Sequence, residues 1–207
     1  MSLLVAGSLL GIGVPNVMEF QRNSAMTAAA NDLVTATLVA RTEAVKRQAP
    51  VTLCLSDNPL DVTPTCSPDP IYNSATRGYV VWVDENNNVD ADGSRILTDA
   101  TDGNAAIDAD ELVLSRTVAP GGTMRISANC GYVSFAPTGF TRQALALCFP
   151  AARAVLFCDD RGLRVAAGAL STARVVRTRG PGRAQVLQQV DDITPLMTGF
   201  NPAANCL

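Results

Sequence analysis

Histidine is absent from this 207-residue chain, and lysine occurs only at Lys46. Without histidine, Ser-His-Asp and Cys-His catalysis are excluded, and so is the commonest zinc ligand. An enzyme would have to work with carboxylates, arginine, tyrosine or cysteine alone, and no such constellation is evident in the sequence. We therefore expect that the protein is not an enzyme and has no small-molecule substrate.

The six cysteines include no C-x-x-C pair, which weakens a zinc-cluster interpretation. Widely spaced cysteines in a non-cytosolic protein usually form disulfides, although the sequence does not fix their connectivity. The pairing we favour is Cys54–Cys66, which would close a proline-rich loop. Buried free thiols in a reducing compartment are the alternative. The disulfide candidates are Cys54, Cys66, Cys130, Cys148, Cys158 and Cys206.

Charged side chains are missing from residues 1–18. A helix of that length spans about 27 Å, which is marginal against a hydrocarbon core of about 30 Å. The stretch lacks the basic start and the cleavage site of a secretory signal. Its three glycines weaken it as an isolated helix in water, but lipid or neighbouring helices tolerate them. The alternative is a buried core helix of a soluble domain.

After Pro15 the helical pattern continues but becomes amphipathic, with apolar residues at three- and four-residue steps from Met18 to Ala44. Pro50 predicts the end of this helix, because proline disfavours helical backbone at the preceding residue. We therefore expect residues 1–49 to form a membrane or filament helix, apolar in its first half and amphipathic in its second half.

Beyond Cys54 the helical period disappears, and short apolar runs alternate with proline- and glycine-containing turns. Residues 50–207 are therefore expected to form a β-rich extracytoplasmic head, and the fold class to be α+β with an antiparallel sheet. The predicted strands are Val51–Leu55, Gly78–Val83, Leu112–Val118, Thr123–Ser127, Gly131–Phe135, Ala144–Phe149, Ala154–Cys158 and Arg174–Arg177.

Residues 84–111 hold nine acidic residues and a single base, Arg95. Asp84, Asn86, Asn88 and Asp90 alternate as the first ligands of a calcium loop would, so they are weak calcium candidates. Val89 and Arg95 stand where such a loop needs glycine and glutamate. We favour a solvated acidic loop without a cofactor and keep calcium as the alternative.

The first half of the chain resembles the GspH/FimT family of pseudopilins and minor type IV pilins. The resemblance rests on Val14-Pro15-Asn16, on Thr27 to Leu33, on Ala40 to Arg47, and on Pro50 to Cys54. The later segment Gly78–Asn88 also resembles a family strand. The resemblance implies a structural subunit of a type II secretion pseudopilus or type IV pilus that assembles with other pilin subunits through its N-terminal helix.

Such subunits reside in the bacterial inner membrane as single-pass proteins before assembly, with the head in the periplasm or on the filament. Family members begin with a basic leader, a glycine cleavage site and the segment F-T-L-I-E-L, none of which is present here. We expect the natural start to lie upstream of Met1; a truncated relative is the alternative.

Residues 161–190 contain six arginines and no acidic residue, and such local positive potential attracts phosphates. Some FimT-type minor pilins bind DNA through a basic C-terminal region, and Arg177, Arg179 and Arg183 resemble that region in character though not in spacing. The resemblance implies DNA uptake as an alternative function. A basic hairpin that faces solvent or pairs with the acidic loop is the other interpretation.

Overall fold

The computed structural model describes residues 2–67, 78–84, 107, 111–121, 123–142, 152–197 and 206, with the backbone alone for residues 2–16, 152 and 197. Helix α1, Ser2–Arg47, is 46 residues long and continues through Pro15. Gln48 follows in a left-handed conformation, with φ of 56°, which terminates the helix before Pro50. Lys46 and Arg47 in the last turn complement the negative end of the helix dipole.

Eleven strands have been assigned among the described residues, and they form two larger antiparallel sheets and a small hairpin. The first sheet has the order β3-β2-β1-β5-β6, the second has the order β11-β10-β7-β4, and β8 pairs with β9. The strands are β1 Val51–Ser56, β2 Gly78–Val83, β3 Val113–Val118, β4 Arg125–Ala128, β5 Tyr132–Phe135, β6 Thr141–Arg142, β7 Ala152–Cys158, β8 Val165–Ala166, β9 Ala169–Leu170, β10 Ala173–Arg179 and β11 Ala184–Leu187.

Helix α2, Val190–Ile193, and a 3₁₀ turn, Thr194–Met197, follow the last strand. The predicted α+β class, a long helix followed by antiparallel sheets, is confirmed. Seven of the predicted strands match β1 to β5, β7 and β10 within a few residues. The eighth, Ala144–Phe149, lies outside the described residues. Strand β11 was missed because its glutamine and alanine positions interrupt the apolar alternation. The division of the chain at residue 50 stays a prediction.

The main core lies where α1 packs against both larger sheets. On the helix, the buried stripe recurs at three- and four-residue steps from Met26 to Ala44 and is rich in alanine. Small side chains let the helix axis approach the strands closely. Val51, Leu53 and Leu55 of β1 and Phe157 of β7 meet this stripe. The second half of the helix is thus an integral part of the head.

Each larger sheet also carries a second apolar cluster on the face turned away from α1. Cys54, Val80, Trp82, Cys130 and Tyr132 form the outer cluster of the first sheet. Leu156, Ala173, Val175 and Leu187 belong to the outer cluster of the second sheet, which Ile193 and Cys206 cover. Central strands such as β1 are therefore buried on both faces, which explains their nearly continuous apolar sequence.

The side chains of Asn23, Asp159 and Arg161, which we call the polar lock, join the turn after β7 to α1. Asp159, in the turn after β7, accepts two hydrogen bonds of 2.9 Å from Arg161 Nε and forms an ion pair of 2.7 Å with Arg161 Nη2. Arg161 Nη2 also donates to Asn23 Oδ1 on the helix, at 2.8 Å. The hydrogen bonds to Asp159 raise the pKa of Arg161 above the ordinary guanidinium value. Both Arg161 and Asp159 are largely buried, and Arg161 attaches this turn to α1 at Asn23.

The first prediction concerns the helix–sheet core. Leu33→Ala removes a buried side chain from the stripe, and the free energy of unfolding is expected to fall by about 2–5 kcal/mol because a cavity remains. Leu38→Ala is the matched control, since Leu38 is half exposed on the same helix, and its expected change is about 0.5 kcal/mol. Urea unfolding followed by circular dichroism measures both. Equal losses would contradict the assigned stripe.

The second prediction concerns the polar lock. Arg161→Ala leaves Asp159 buried without its partner, and we expect a loss of about 3–5 kcal/mol of unfolding free energy. Arg22→Ala breaks the neighbouring but exposed Arg22–Asp160 pair of 3.1 Å, for which less than about 1 kcal/mol is expected. Thermal melts at low and high salt distinguish the two ion pairs, because salt weakens only the exposed pair appreciably. If Arg22→Ala lost as much unfolding free energy as Arg161→Ala, the expected difference between the buried and the exposed pair would be contradicted.

Candidate functional site

The first described side chains of α1 form an apolar surface below the head. Phe20 is 72% exposed, and Val17 and Met18 are also exposed, whereas Met26, less than two turns further on, is 0% exposed. An isolated soluble helix would not favour three neighbouring apolar side chains in water. No helix of the described part of the chain combines the length and the apolar character needed to cross a membrane.

A junction forms where the C-terminal part of α1 contacts the turns at the ends of both larger sheets. Arg41 Nε donates to the Gly139 carbonyl oxygen at 3.0 Å. Thr141 N donates to the Gly180 carbonyl oxygen at 2.9 Å, which links the two sheets. Gly182 has φ of 76°, and a Cβ there would stand 2.7 Å from the Gly139 oxygen, so only glycine fits this contact.

The junction presents an apolar ridge, which we define as Leu38 and Val45 of α1 together with Phe140. Gly139, next to Phe140, packs against Val45, and this places the turn beside the helix. Phe140 is 58% exposed, and the two helix residues are nearly half exposed. The ridge therefore consists of exposed apolar side chains on one side of α1 and on the adjoining turn.

The opposite flank of α1 carries an α1–β3 groove of about 330 Å³. It is lined on the helix side by Asp32, Thr35 and Val39 and on the sheet side by Tyr79, Ser115 and Thr117. Burial raises the pKa of Tyr79 above its ordinary value, and the Asp32 carboxylate adds to this. Strand β3 is an edge of the first sheet as described, so the groove opens sideways rather than into the core.

The arginines proposed to bind nucleic acid lie in the β10–β11 hairpin but not in equivalent environments. Arg179 and Arg183 are exposed and face each other across the turn, where Arg179 N donates to the Arg183 carbonyl oxygen at 3.1 Å. Arg177 is only 8% exposed and lies in β10, opposite Gln185. Two-residue alternation places Arg177 and Arg179 on the same face, which is the outer face that Val175 and Leu187 share.

Arg177 is buried without a hydrogen bond or ion pair to any residue in the described part of the chain, and its Nε is enclosed. A guanidinium in such a position normally has an acceptor, because an unpaired buried cation is unfavourable. The predicted solvent-facing basic hairpin therefore applies to Arg179 and Arg183, whereas Arg177 lies in the interior of the sheet face.

Asp84 is the only one of the calcium candidates within the described residues; Asn86, Asn88 and Asp90 lie outside them. Asp84 is fully buried at the end of β2 and accepts a 2.7 Å hydrogen bond from Thr52 Oγ1, which also contacts Ser134 Oγ at 2.8 Å. Its position is explained by this polar network between strands. In the described part of the chain, no group of three or more potential metal ligands comes together.

The predicted Cys54–Cys66 disulfide is present, and it closes the loop that follows β1. A second disulfide, Cys158–Cys206, attaches the end of the chain to β7. Cys130 is disulfide-bonded as well, and the sixth cysteine, Cys148, lies outside the described residues. The interpretation as buried free thiols is therefore wrong for the described cysteines.

Two groups of residues were not found from the sequence. The Asp159-Asp160-Arg161-Gly162 segment was recognised only as a turn, because nothing local shows that it meets Asn23 of a helix well over a hundred residues earlier. No sequence signal singled out Phe140. It is 58% exposed on a turn whose Gly139 lies against Val45 of the distant helix.

Two solved structures are similar to the chain, both of the type IV minor pilin FimU from Pseudomonas aeruginosa (strain PAO1). In the space group P21 form the identity is 17%, the TM-score is 0.44, and the match covers 81% of this chain and 91% of that one. In the P65 form the identity is 18%, the TM-score is 0.38, and the match covers 77% of this chain and 90% of that one. No curated protein matches the chain.

The family model described as "Type II transport protein GspH" matches residues 29–169. This range includes most of the buried half of α1, the strands from β1 to β8 and the first residue of β9. It covers more than half of the 207 residues. The chain therefore belongs to the GspH family and is a GspH/FimT-type pseudopilin or minor pilin.

Proposed function

We propose that this protein is a structural subunit that assembles through α1 into a type II secretion pseudopilus or a type IV pilus, and so supports protein secretion or pilus biogenesis. Its mechanism is association with other pilin-type subunits, without catalysis or a cofactor. Before assembly the subunit resides in the bacterial inner membrane as a single-pass protein with its head in the periplasm.

The observation that carries this proposal is the change in burial along α1. From Met26 onward the apolar stripe is buried by the chain's own sheets, whereas Val17, Met18 and Phe20 have no such cover. Burying side chains of this size favours association by about 1.5–3 kcal/mol each. Family membership supports neighbouring helices as the cover.

The third prediction tests assembly through this surface. Phe20→Asp places a carboxylate where the helix is proposed to pack, and the amount of subunit recovered with purified filaments is expected to fall about tenfold, because an unpaired charge is costly to bury. Val62→Asp is the matched control, since Val62 is 92% exposed on the disulfide-closed loop of the head. The control variant should assemble normally.

Quantitative immunoblotting of sheared filaments and of the membrane fraction measures the third prediction. Phe20→Asp that is incorporated like the wild type would overturn assembly through the helix. Deleting the gene and comparing secretion of a reporter enzyme with surface pilus number then assigns the subunit to one of the two machineries.

A second candidate function, DNA binding for uptake, is favoured by the arginines of the β10–β11 hairpin. Arg179 and Arg183 are exposed together at a rigid turn, and Arg177 lies beside them on the same face without a carboxylate partner among the described residues. Positive charge of this kind binds phosphates without reading sequence.

The fourth prediction concerns this candidate. Arg179→Ala combined with Arg183→Ala should weaken binding of double-stranded DNA and reduce the slope of log K against log salt by about 0.9 for each phosphate that the variant no longer neutralises. Arg164→Ala is the control, because Arg164 is exposed but lies outside the hairpin. Gel-shift titrations at several salt concentrations measure the slopes. No binding by the wild type at low salt would eliminate DNA binding.

A further inference from the structure

We infer that the outer face of the β10–β11 hairpin holds a binding site for a single phosphate group, of the kind carried by free phosphate or by a phosphate monoester. The side chains that form it, which we call the anion array, are Arg177, Arg179, Arg183 and Gln185. The inference is independent of assembly through α1. It rests on the second candidate function only in using the same hairpin, and it names the chemical group that this hairpin recognises.

The four side chains of the anion array share one face because of the strand register. Arg177 of β10 lies opposite Gln185 of β11. The next pair towards the turn is Arg179 and Arg183, which the hydrogen bond from Arg179 N to the Arg183 carbonyl oxygen joins. Residues opposite each other in an antiparallel pair, and residues two apart along one strand, point to the same side of a sheet. The register therefore places two neighbouring cross-strand pairs on the outer face.

The spacing of these positions suits one tetrahedral oxyanion. Opposite residues have Cβ atoms about 4.5–5.5 Å apart, and residues two apart on one strand are separated by about 6.6 Å. Long side chains at such positions can converge on one small group. A guanidinium donates two parallel hydrogen bonds to a phosphate, and the Gln185 amide adds further donors. The array can therefore supply hydrogen bonds to one phosphate from more than one side.

Arg177 is the residue that points to a ligand. It is 8% exposed, its Nε is enclosed, and it has no hydrogen bond or ion pair to any described residue. The other two described arginines that are buried to this extent both have acceptors: Arg153 Nη2 donates to the Arg142 carbonyl oxygen at 3.1 Å, and Arg174 Nη1 donates to the Ala173 carbonyl oxygen at 2.7 Å. A buried guanidinium with open donors is unfavourable until an anion binds it.

The charge of the anion array favours a phosphate over a carboxylate. It combines three guanidinium groups, and residues 161–190 contain no acidic residue. Among the described residues, none of the three arginines forms an ion pair with a carboxylate. One carboxylate would neutralise a single guanidinium, whereas a phosphate monoester carries a charge of about −1.5 to −2 at neutral pH and three strong acceptor oxygens.

The burial of Arg177 decides which phosphates reach it. Arg179 and Arg183 are exposed at the turn, and Arg177 lies one residue pair further from the turn. The continuous backbone of a DNA duplex would contact the two outer arginines first. A free ion, or a phosphate that projects from the end of a molecule, can extend further to Arg177. The site therefore favours phosphate groups with a free end.

The fifth prediction is that Arg177→Met weakens binding of inorganic phosphate about tenfold or more, because charge-assisted hydrogen bonds are lost. Isothermal titration calorimetry of the purified full chain in detergent measures this. In chloride alone the variant should melt at the wild-type temperature or above it, since an apolar side chain replaces an unpaired buried cation. Phosphate should raise the melting temperature of the wild type more than that of the variant.

Arg174→Met is the matched control for the fifth prediction. Arg174 is buried on the same strand, but alternation with Val176 places it on the face turned towards α1. This control should lose stability, because Arg174 has acceptors in the fold, and should bind phosphate like the wild type. Phosphate also stabilises proteins in general by exclusion from their surface, so the decisive value is the difference between variants at one phosphate concentration.

Three results would each overturn the phosphate site: no phosphate binding by the wild type, equal binding by Arg177→Met, or unfolding of Arg177→Met in chloride, which would make Arg177 a structural residue. If the site fails while Arg179→Ala combined with Arg183→Ala still weakens duplex binding, the second candidate function stands without it.

Two versions of one blunt DNA duplex, with 5′-phosphate or 5′-hydroxyl ends, then identify the source of the phosphate. A several-fold preference for phosphorylated ends that Arg177→Met removes assigns terminal phosphates to the site. Binding of inorganic phosphate without such a preference assigns the free ion.

Discussion

Burial of the alanine-rich stripe of α1 is the interaction on which the rest of the structure depends. The main core packs residues of both larger sheets against this stripe, so removing the stripe would uncover one face of each sheet. Alanine at positions such as Ala36, Ala40 and Ala44 keeps the helix close to the strands.

The outer faces of the sheets are stabilised in a different way. The cluster around Val175 and Leu187 is covered by the C-terminal segment, and Cys158–Cys206 ties the end of the chain to it. Cys54–Cys66 closes the loop after β1 next to the cluster around Trp82. A disulfide restricts the unfolded chain and so stabilises a thin layer that has too little apolar area to hold itself. The disulfides thus complement the helix core and do not replace it.

Much of the fold could be predicted because its signals are local. The helical period from Met18 to Ala44, the stop before Pro50 and the apolar alternation of β1, β2 and β5 each depend on neighbouring residues, and each corresponds to an element of the structure. Strand β11 could not be predicted, since Gln185 and Ala184 are tolerated at a partly exposed position only because β10 lies beside them. The candidate site was less predictable still. Arg177, Arg179 and Arg183 formed one cluster in the sequence, whereas in the structure Arg177 is buried within β10 and Arg179 and Arg183 are exposed at the turn.

The sequence by itself determined the class of this protein: a long helix, apolar and then amphipathic, followed by a disulfide-bonded antiparallel head of the GspH type. These properties follow from periodicity, turn residues and a family-like run of residues, all of which are local signals along the chain. Only the tertiary structure decided which parts of that helix are free. Asn23 meets Arg161 and Val45 meets Gly139 through contacts between segments far apart in sequence, and Asp32 and Tyr79 line one groove. The lower helix and the ridge stay exposed beside these contacts. Exposure is a property of what packs nearby, so it is set by the fold and not by the local sequence.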